Sequence, residues 1–238
     1  MTRENTLVWS WLGVLTKKRY DVLQDVYGNL DEALGHMSEE LLKSLGCREE
    51  TVWKTLNRLE EFDPSAYDQE LKKRDLHLLS IEDASYPEAL RTLPDPPVFL
   101  MYRGDLTILS QPCIALVGTR NMSSYGKRVV EEFVPAFVSA GMVTVSGLAL
   151  GIDTYVAQQT IALSGRTVAV LGHGMAQIFP RSNARLAEQI VENGGLLLSE
   201  FPLDSAPDKY TFPARNRIIA GLSLGTVVLE AGEGSGAL

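Results

Sequence analysis

The run Lys209-Tyr210-Thr211-Phe212-Pro213-Ala214-Arg215-Asn216-Arg217 sets the ring of Phe212 among three cations. Bases of an unpaired strand stack on such a ring while ammonium and guanidinium groups meet the phosphates, so the chemistry on offer is binding rather than bond-making. Pro213 suits the first turn of a helix, where no N–H is needed for an intrahelical bond. The run therefore predicts a helix over residues 213–222 with Phe212 at its mouth, Lys209 just upstream, and Arg215, Asn216 and Arg217 in its opening turns. On a regular helix residues 215 and 217 point about 200° apart, so the two arginines do not share one groove.

Further candidates stand where short apolar runs end. Val117-Gly118-Thr119-Arg120 joins a glycine that admits close backbone approach, a hydroxyl and a phosphate-matching fork, just before a helix start near Ser123-Ser124. Ser146-Gly147-Leu148-Ala149-Leu150-Gly151-Ile152-Asp153 is a second such turn: Ser146 and the amides near Gly147 can bind the same anion, and Asp153 reads as a helix cap. Leu171-Gly172-His173-Gly174-Met175 offers two glycines of a dinucleotide fingerprint but Gln177 in place of the third, and no acidic ribose partner follows the first strand. This disfavours nicotinamide and flavin, and no cofactor is expected.

No catalytic set is legible. His36, His77 and His173 lie apart without metal-ligand spacing, and neither a Gly-x-Ser-x-Gly elbow nor a Walker loop occurs. His173 reads either as a pocket residue or as a turn residue. Glu200 and Glu230, each after a strand, read as structural carboxylates before they read as an acid–base pair.

The elements that must position these residues follow a strand–helix rhythm. CIALVG, MVTVSG, TVAVLG, LLLSE and TVVLEA read as strands, with helices near 123–140, 152–164, 181–193 and 213–222. That alternation predicts an α/β fold, a Rossmann-like doubly wound, mainly parallel sheet whose ligand lies beyond the carboxyl ends of the strands. Residues 1–63 read as a small all-helical domain, sterile-alpha-motif-like or helix-hairpin-helix-like around Leu41–Gly46, or else a bundle for protein contacts. Residues 64–110 read as a proline-rich extension docking on the sheet, with strands at LHLLSI and Val98 to Tyr102, and residues 111–238 as the Rossmann-like domain.

The net charge of −8 argues against a protein that coats DNA indiscriminately, yet residues 1–70 hold 14 acidic against 8 basic side chains while residues 111–238 hold 10 against 9. A local cationic cluster is compatible with that balance. Cys47 and Cys113 stand apart and suggest neither disulfide nor zinc. The opening MTRENTLVWSWLGVL lacks a leader's basic start and cleavage site, and no apolar run reaches the ~20 residues of a spanning helix, so a cytoplasmic protein without membrane contact is expected.

Several of these stretches together resemble the DNA-processing protein A family (DprA, also called Smf): YPEALRTLPDPPVFLMYRGDL, ALVGTRNMSSYG, VSGLALGID, AVLGHGMAQIFPRSNARL, LLLSEFP, FPARNRIIAGLS and VVLEAGEGSGAL, in order over residues 75–238. The resemblance implies a Rossmann-like homodimer, not an enzyme, that binds and protects single-stranded DNA and helps load the RecA recombinase in natural transformation. Carried over motif by motif, the implied DNA-binding set is Gly118, Thr119, Arg120, Ser146, Gly147, Lys209, Phe212, Arg215, Asn216 and Arg217. Two positions depart from the family pattern, Leu150 where an arginine is usual and Ala157 where a histidine is usual. Family members also continue through further sheet elements past the position of Leu238. The enzyme alternative is a phosphoribohydrolase of the lysine-decarboxylase-like group. Glu230-Ala231-Gly232-Glu233-Gly234-Ser235-Gly236 stands where its phosphate loop would be, without the Pro-Gly-Gly-x-Gly-Thr-x-x-Glu order.

Overall fold

The structure, a computed structural model, describes residues 1–236. Six helices come first: α1 (Arg3–Leu12), α2 (Lys17–Tyr27), α3 (Leu30–Gly35), α4 (Glu39–Ser44), α5 (Glu49–Glu60) and α6 (Pro64–Lys73). Thr2, Thr16, Asn29, Ser38 and Asp63 start five of them, each accepting an amide of the first turn, a device that stabilises a helix start by about 1 kcal/mol. Trp9, Leu12, Leu23, Leu30, Leu42 and Val52 form the common core of the first five, whereas Tyr67 and Leu71 of α6 pack in the cluster that lies against the sheet. In the α4–α5 hairpin, Gly46 turns the chain at φ 73°, and Glu49 and Glu50 occupy the first turn of α5, the amide-rich end where a phosphate would otherwise sit.

The remaining elements are β1 (His77–Ser80), α7 (Glu88–Arg91), β2 (Phe99–Gly104), β3 (Cys113–Gly118), α8 (Ser124–Ser139), β4 (Val143–Ser146), α9 (Ile152–Ala162), β5 (Thr167–Leu171), α10 (Ala184–Glu192), β6 (Leu196–Ser199), α11 (Thr211–Gly221) and β7 (Thr226–Glu230). They build one seven-stranded sheet in the order β1-β2-β6-β5-β4-β3-β7. From β6 to β7 all pairings are parallel, whereas β1 and β2 join antiparallel, β2 lying against β6 (Met101 opposite Ser199). The proline-rich run Pro94–Val98 thus feeds a strand inside the sheet, and β1 takes the edge.

Strands β3 to β6 are largely buried on both faces and mostly apolar, as parallel strands covered on both sides are. Cys113, Ala115, Val143, Val145, Val168 and Val170 pack with Ile218 and Ile219 of α11 on one face. Ile114 and Leu116 pack with Val130, Val134, Ile152 and Val156 of α8 and α9 on the other, where Leu171 and Leu197 meet Leu186 and Ile190 of α10. This is the Rossmann-like doubly wound arrangement. The chain steps from β3 outward to β6, then returns through α11 to place β7 on the far side of β3, so the direction of winding reverses between β3 and its two neighbours. A crevice opens at such a reversal, beyond the carboxyl ends of the strands.

The helical layer is tied to the sheet. Arg58 on α5 lies over the Trp11 ring at 4.1 Å and donates to both oxygens of Asp204 at 2.9 and 3.1 Å, and Arg74 donates to the carbonyl of Ala176 at 2.9 Å.

Candidate nucleic-acid interface

A cleft of about 1100 Å³ opens at the reversal, lined by Gly118, Thr119 and Arg120 after β3, Ala149 and Asp153 after β4, Lys209, Phe212, Pro213, Arg215 and Asn216 around the start of α11, and Gly232 to Gly236 after β7. The close approach of β3, β7 and α9 explains the glycines. A Cβ on Gly118 would lie 2.7 Å from both the Glu230 carbonyl oxygen and Ile152 Cγ1, and Gly151, at φ 76°, passes against the carbonyls of Thr119 and Arg120. Thr119 is held from both sides, its amide donating to the Glu230 carbonyl at 2.7 Å and its carbonyl accepting from the Ile152 amide at 3.1 Å. Arg120 leaves this clamped turn exposed to solvent.

Helix α11 begins at Thr211, two residues ahead of the sequence expectation, so Pro213 falls within the first turn where its missing N–H costs nothing. The Thr211 hydroxyl donates to the Gly172 carbonyl at 2.5 Å, anchoring the helix mouth to the end of β5. Phe212 lies directly over Gly172, where a Cβ would come within 2.8 Å of its ring. Arg120 approaches the same ring at 5.2 Å and Arg215 at 6.0 Å. Lys209 sits on the rim with its ammonium 4.9 Å from the Tyr210 ring, and the Asn216 amide donates to the Gly236 carbonyl at 3.2 Å. Carboxylates share this rim: Asp208, which accepts from the Tyr210 amide at 2.8 Å, and Glu233.

The two arginines of α11 part company as their spacing requires. Arg215 points inward and is only 4% exposed; its guanidinium fills the space that a side chain on residue 147 would take and donates to the carbonyls of Gly147, at 2.8 Å, and Val170. Burial lowers its pKa to about 10, against the opposing pull of Asp153, which leaves it charged at neutral pH. Arg217 points to the other side of the helix, pairing with both oxygens of Glu200 at 2.5 and 2.6 Å and donating to the Asp95 carbonyl. It does not line the cleft. Ser146 is also away from it, buried beside Asp153.

Asp153 is not the helix cap that the sequence suggests. Its carboxylate turns back to accept from the amides of Gly147, at 3.1 Å, and Ala149, at 3.4 Å, fixing the turn on which Arg215 rests. Burial pushes its pKa up, while Arg215 and those amides pull it down. Ser123 caps α8, its hydroxyl accepting from the Tyr125 and Gly126 amides, and Glu230 holds that cap residue by accepting from the Ser123 amide at 3.0 Å, while the Ser123 hydroxyl and amide hold the Glu230 carboxyl below the ordinary range. His173 is buried in the turn after β5 and does not line the cleft.

The structure therefore brings together Gly118, Thr119, Arg120, Lys209, Phe212, Arg215 and Asn216, with Gly147 beneath Arg215. Phe179, which follows the third glycine-rich turn and lines the cleft, is absent from the set expected from the sequence.

Sheet order and cleft position define a Rossmann-like α/β protein with its pocket at the point where the winding reverses. A family model described as DNA recombination-mediator protein A matches residues 77–238, and the chain belongs to that family. Protein Smf of Synechocystis sp. (strain ATCC 27184 / PCC 6803 / Kazusa) is 35% identical over 98% of this chain and 59% of its own length. DNA processing protein DprA of Bacillus subtilis (strain 168) is 40% identical over 76% of this chain and 62% of its own length. The chain thus spans about three-fifths of the length of these curated relatives. The X-ray structure of DNA processing protein A from Streptococcus pneumoniae superposes with a TM-score of 0.79 at 33% identity, covering 100% of this chain and 81% of that one. The DNA processing protein A from Helicobacter pylori, solved for its single-stranded DNA binding mode, gives a TM-score of 0.61 at 31% identity, covering 68% and 73%.

Proposed function

We propose that this chain binds single-stranded DNA in the cleft between β3, β4 and α11, with a base stacked on Phe212 and phosphates met by Arg120 and Lys209. The observation that carries the reading is the Phe212 ring at the helix mouth, with the Arg120 guanidinium 5.2 Å away and open cleft in front of it. An aromatic face beside exposed cations suits a strand whose bases are unpaired, and a duplex, with its bases stacked inside, offers nothing to that ring. Gly118 and Thr119 let the strand approach the backbone, and Asn216 adds a polar contact. Arg215 and Gly147 form the charged floor, Ser146 supports Asp153 beneath it, and Arg217 steadies α11.

Family membership and the Helicobacter pylori relative support a role in DNA processing and recombination during natural transformation, carried out by binding rather than by catalysis. The same resemblance supports a cytoplasmic homodimer that protects the strand and assists loading of RecA. Fluorescence anisotropy with a labelled oligonucleotide tests the site: Phe212→Ala weakens binding roughly 5- to 150-fold, the worth of one stacked base, while Phe212→Tyr retains it. Equal binding by wild type and Phe212→Ala would remove the ring from the site.

A further inference from the structure

The loop after β5 presents a second ring to the cleft. Phe179 is 46% exposed, lines the same cleft, and lies with its ring centroid 6.1 Å from that of Phe212 at a tilt of 48°. Its loop is fastened at every few residues. His173, buried beneath, accepts the Phe179 amide proton on Nε2 at 3.2 Å, which places the imidazole proton on Nδ1, donating to the Gly174 carbonyl at 2.7 Å. Asn183 donates to the Leu148 carbonyl at 2.9 Å and to the Thr154 hydroxyl at 2.8 Å, and Arg74 holds the Ala176 carbonyl. A large apolar ring kept half in water by a pinned loop forfeits much of the burial that would stabilise the fold, and it is ordered in advance for a ligand.

A base inserted between two rings needs roughly 7 Å of separation, two contacts of about 3.5 Å each, and parallel faces. The 6.1 Å spacing and the tilt rule that out, so the rings stand side by side and serve different bases. We propose that Phe179 is a second stacking platform, taking the nucleobase next to the one on Phe212, so that the cleft grips two successive nucleotides of a single strand.

This inference rests on the single-strand reading, and the experiment separates the two. Wild type, Phe212→Ala, Phe179→Ala, Phe179→Leu and Phe179→Trp are titrated with a short oligothymidylate over a salt series. In parallel, a 2-aminopurine probe is moved one position at a time along the strand. Phe179→Ala and Phe179→Leu are expected to bind roughly 5- to 150-fold more weakly with an unchanged salt slope, since no phosphate contact is lost, and Phe179→Trp to bind at least as well as wild type. Stacking on two rings quenches the probe at two adjacent positions in wild type and at one in Phe179→Leu. Wild-type affinity in Phe179→Leu, or a quenching pattern that Phe179→Leu leaves unchanged, would reduce Phe179 to a support for its neighbour and overturn the inference. If Phe212→Ala collapses binding while Phe179→Ala does not, only the second platform falls; if wild type fails to bind the strand, both readings fall.

Discussion

Arg215 is the residue whose substitution is easiest to misread. It belongs to the cationic run, yet its guanidinium is buried and donates to the carbonyls at the ends of β4 and β5. Hydrogen bonds from a charged donor contribute about 1.5–3 kcal/mol each, and two of them are lost in Arg215→Met. Removing the buried charge returns part of that by relieving its desolvation, while Asp153, 6% exposed, loses the nearby positive charge. The net expectation is a loss of roughly 2–4 kcal/mol of stability. Urea unfolding followed by circular dichroism reads it directly, with Arg120→Ala as the exposed control, expected to stay within about 0.5 kcal/mol of wild type. Protein that remains folded at low temperature should keep the wild-type salt slope, because Arg215 holds carbonyls and not phosphates. An Arg215→Met protein as stable as wild type, with a salt slope reduced as far as Arg120→Ala reduces it, would refute this and make Arg215 a phosphate ligand.

Two further results are expected. With Arg120 and Lys209 as the exposed cations of the cleft, the slope of log affinity against log salt for a hexamer filling one site is about −1.4, a roughly sevenfold loss from 50 to 200 mM; Arg120→Ala halves that slope. Leu150 is 48% exposed beside cleft-lining Ala149, at the position where the resemblance implies an arginine, so Leu150→Arg should tighten binding at low salt and steepen the slope by about 0.7, as anisotropy over the same salt series would read.

The parallel core was legible because β3 to β6 are short apolar-rich runs largely buried on both faces, and most of the runs end in or next to a small residue. Residues expected at 113–118 and 226–231 form β3 and β7 with at most one residue's difference. The insertion of β2 beside β6 was not legible, since strands so distant in sequence carry no local sign of their pairing. At the site, helical spacing shows that Arg215 and Arg217 diverge, but which one turns inward depends on the carbonyls of Gly147 and Val170 and on Glu200, which only the assembled sheet brings near. Asp153 misled for a related reason: a carboxylate at a helix start has a local use, and here the preceding turn outcompetes it. Phe179 left no periodic signal at all, because it sits on an irregular loop whose course is set by His173 and Asn183.

The most direct test compares wild-type binding to one labelled oligonucleotide, single-stranded and then annealed to its complement, at the same salt concentration. Clear preference for the single strand is expected, since the bases of a duplex are stacked inside and leave Phe212 without a partner. Equal or tighter binding of the duplex by folded protein would contradict it.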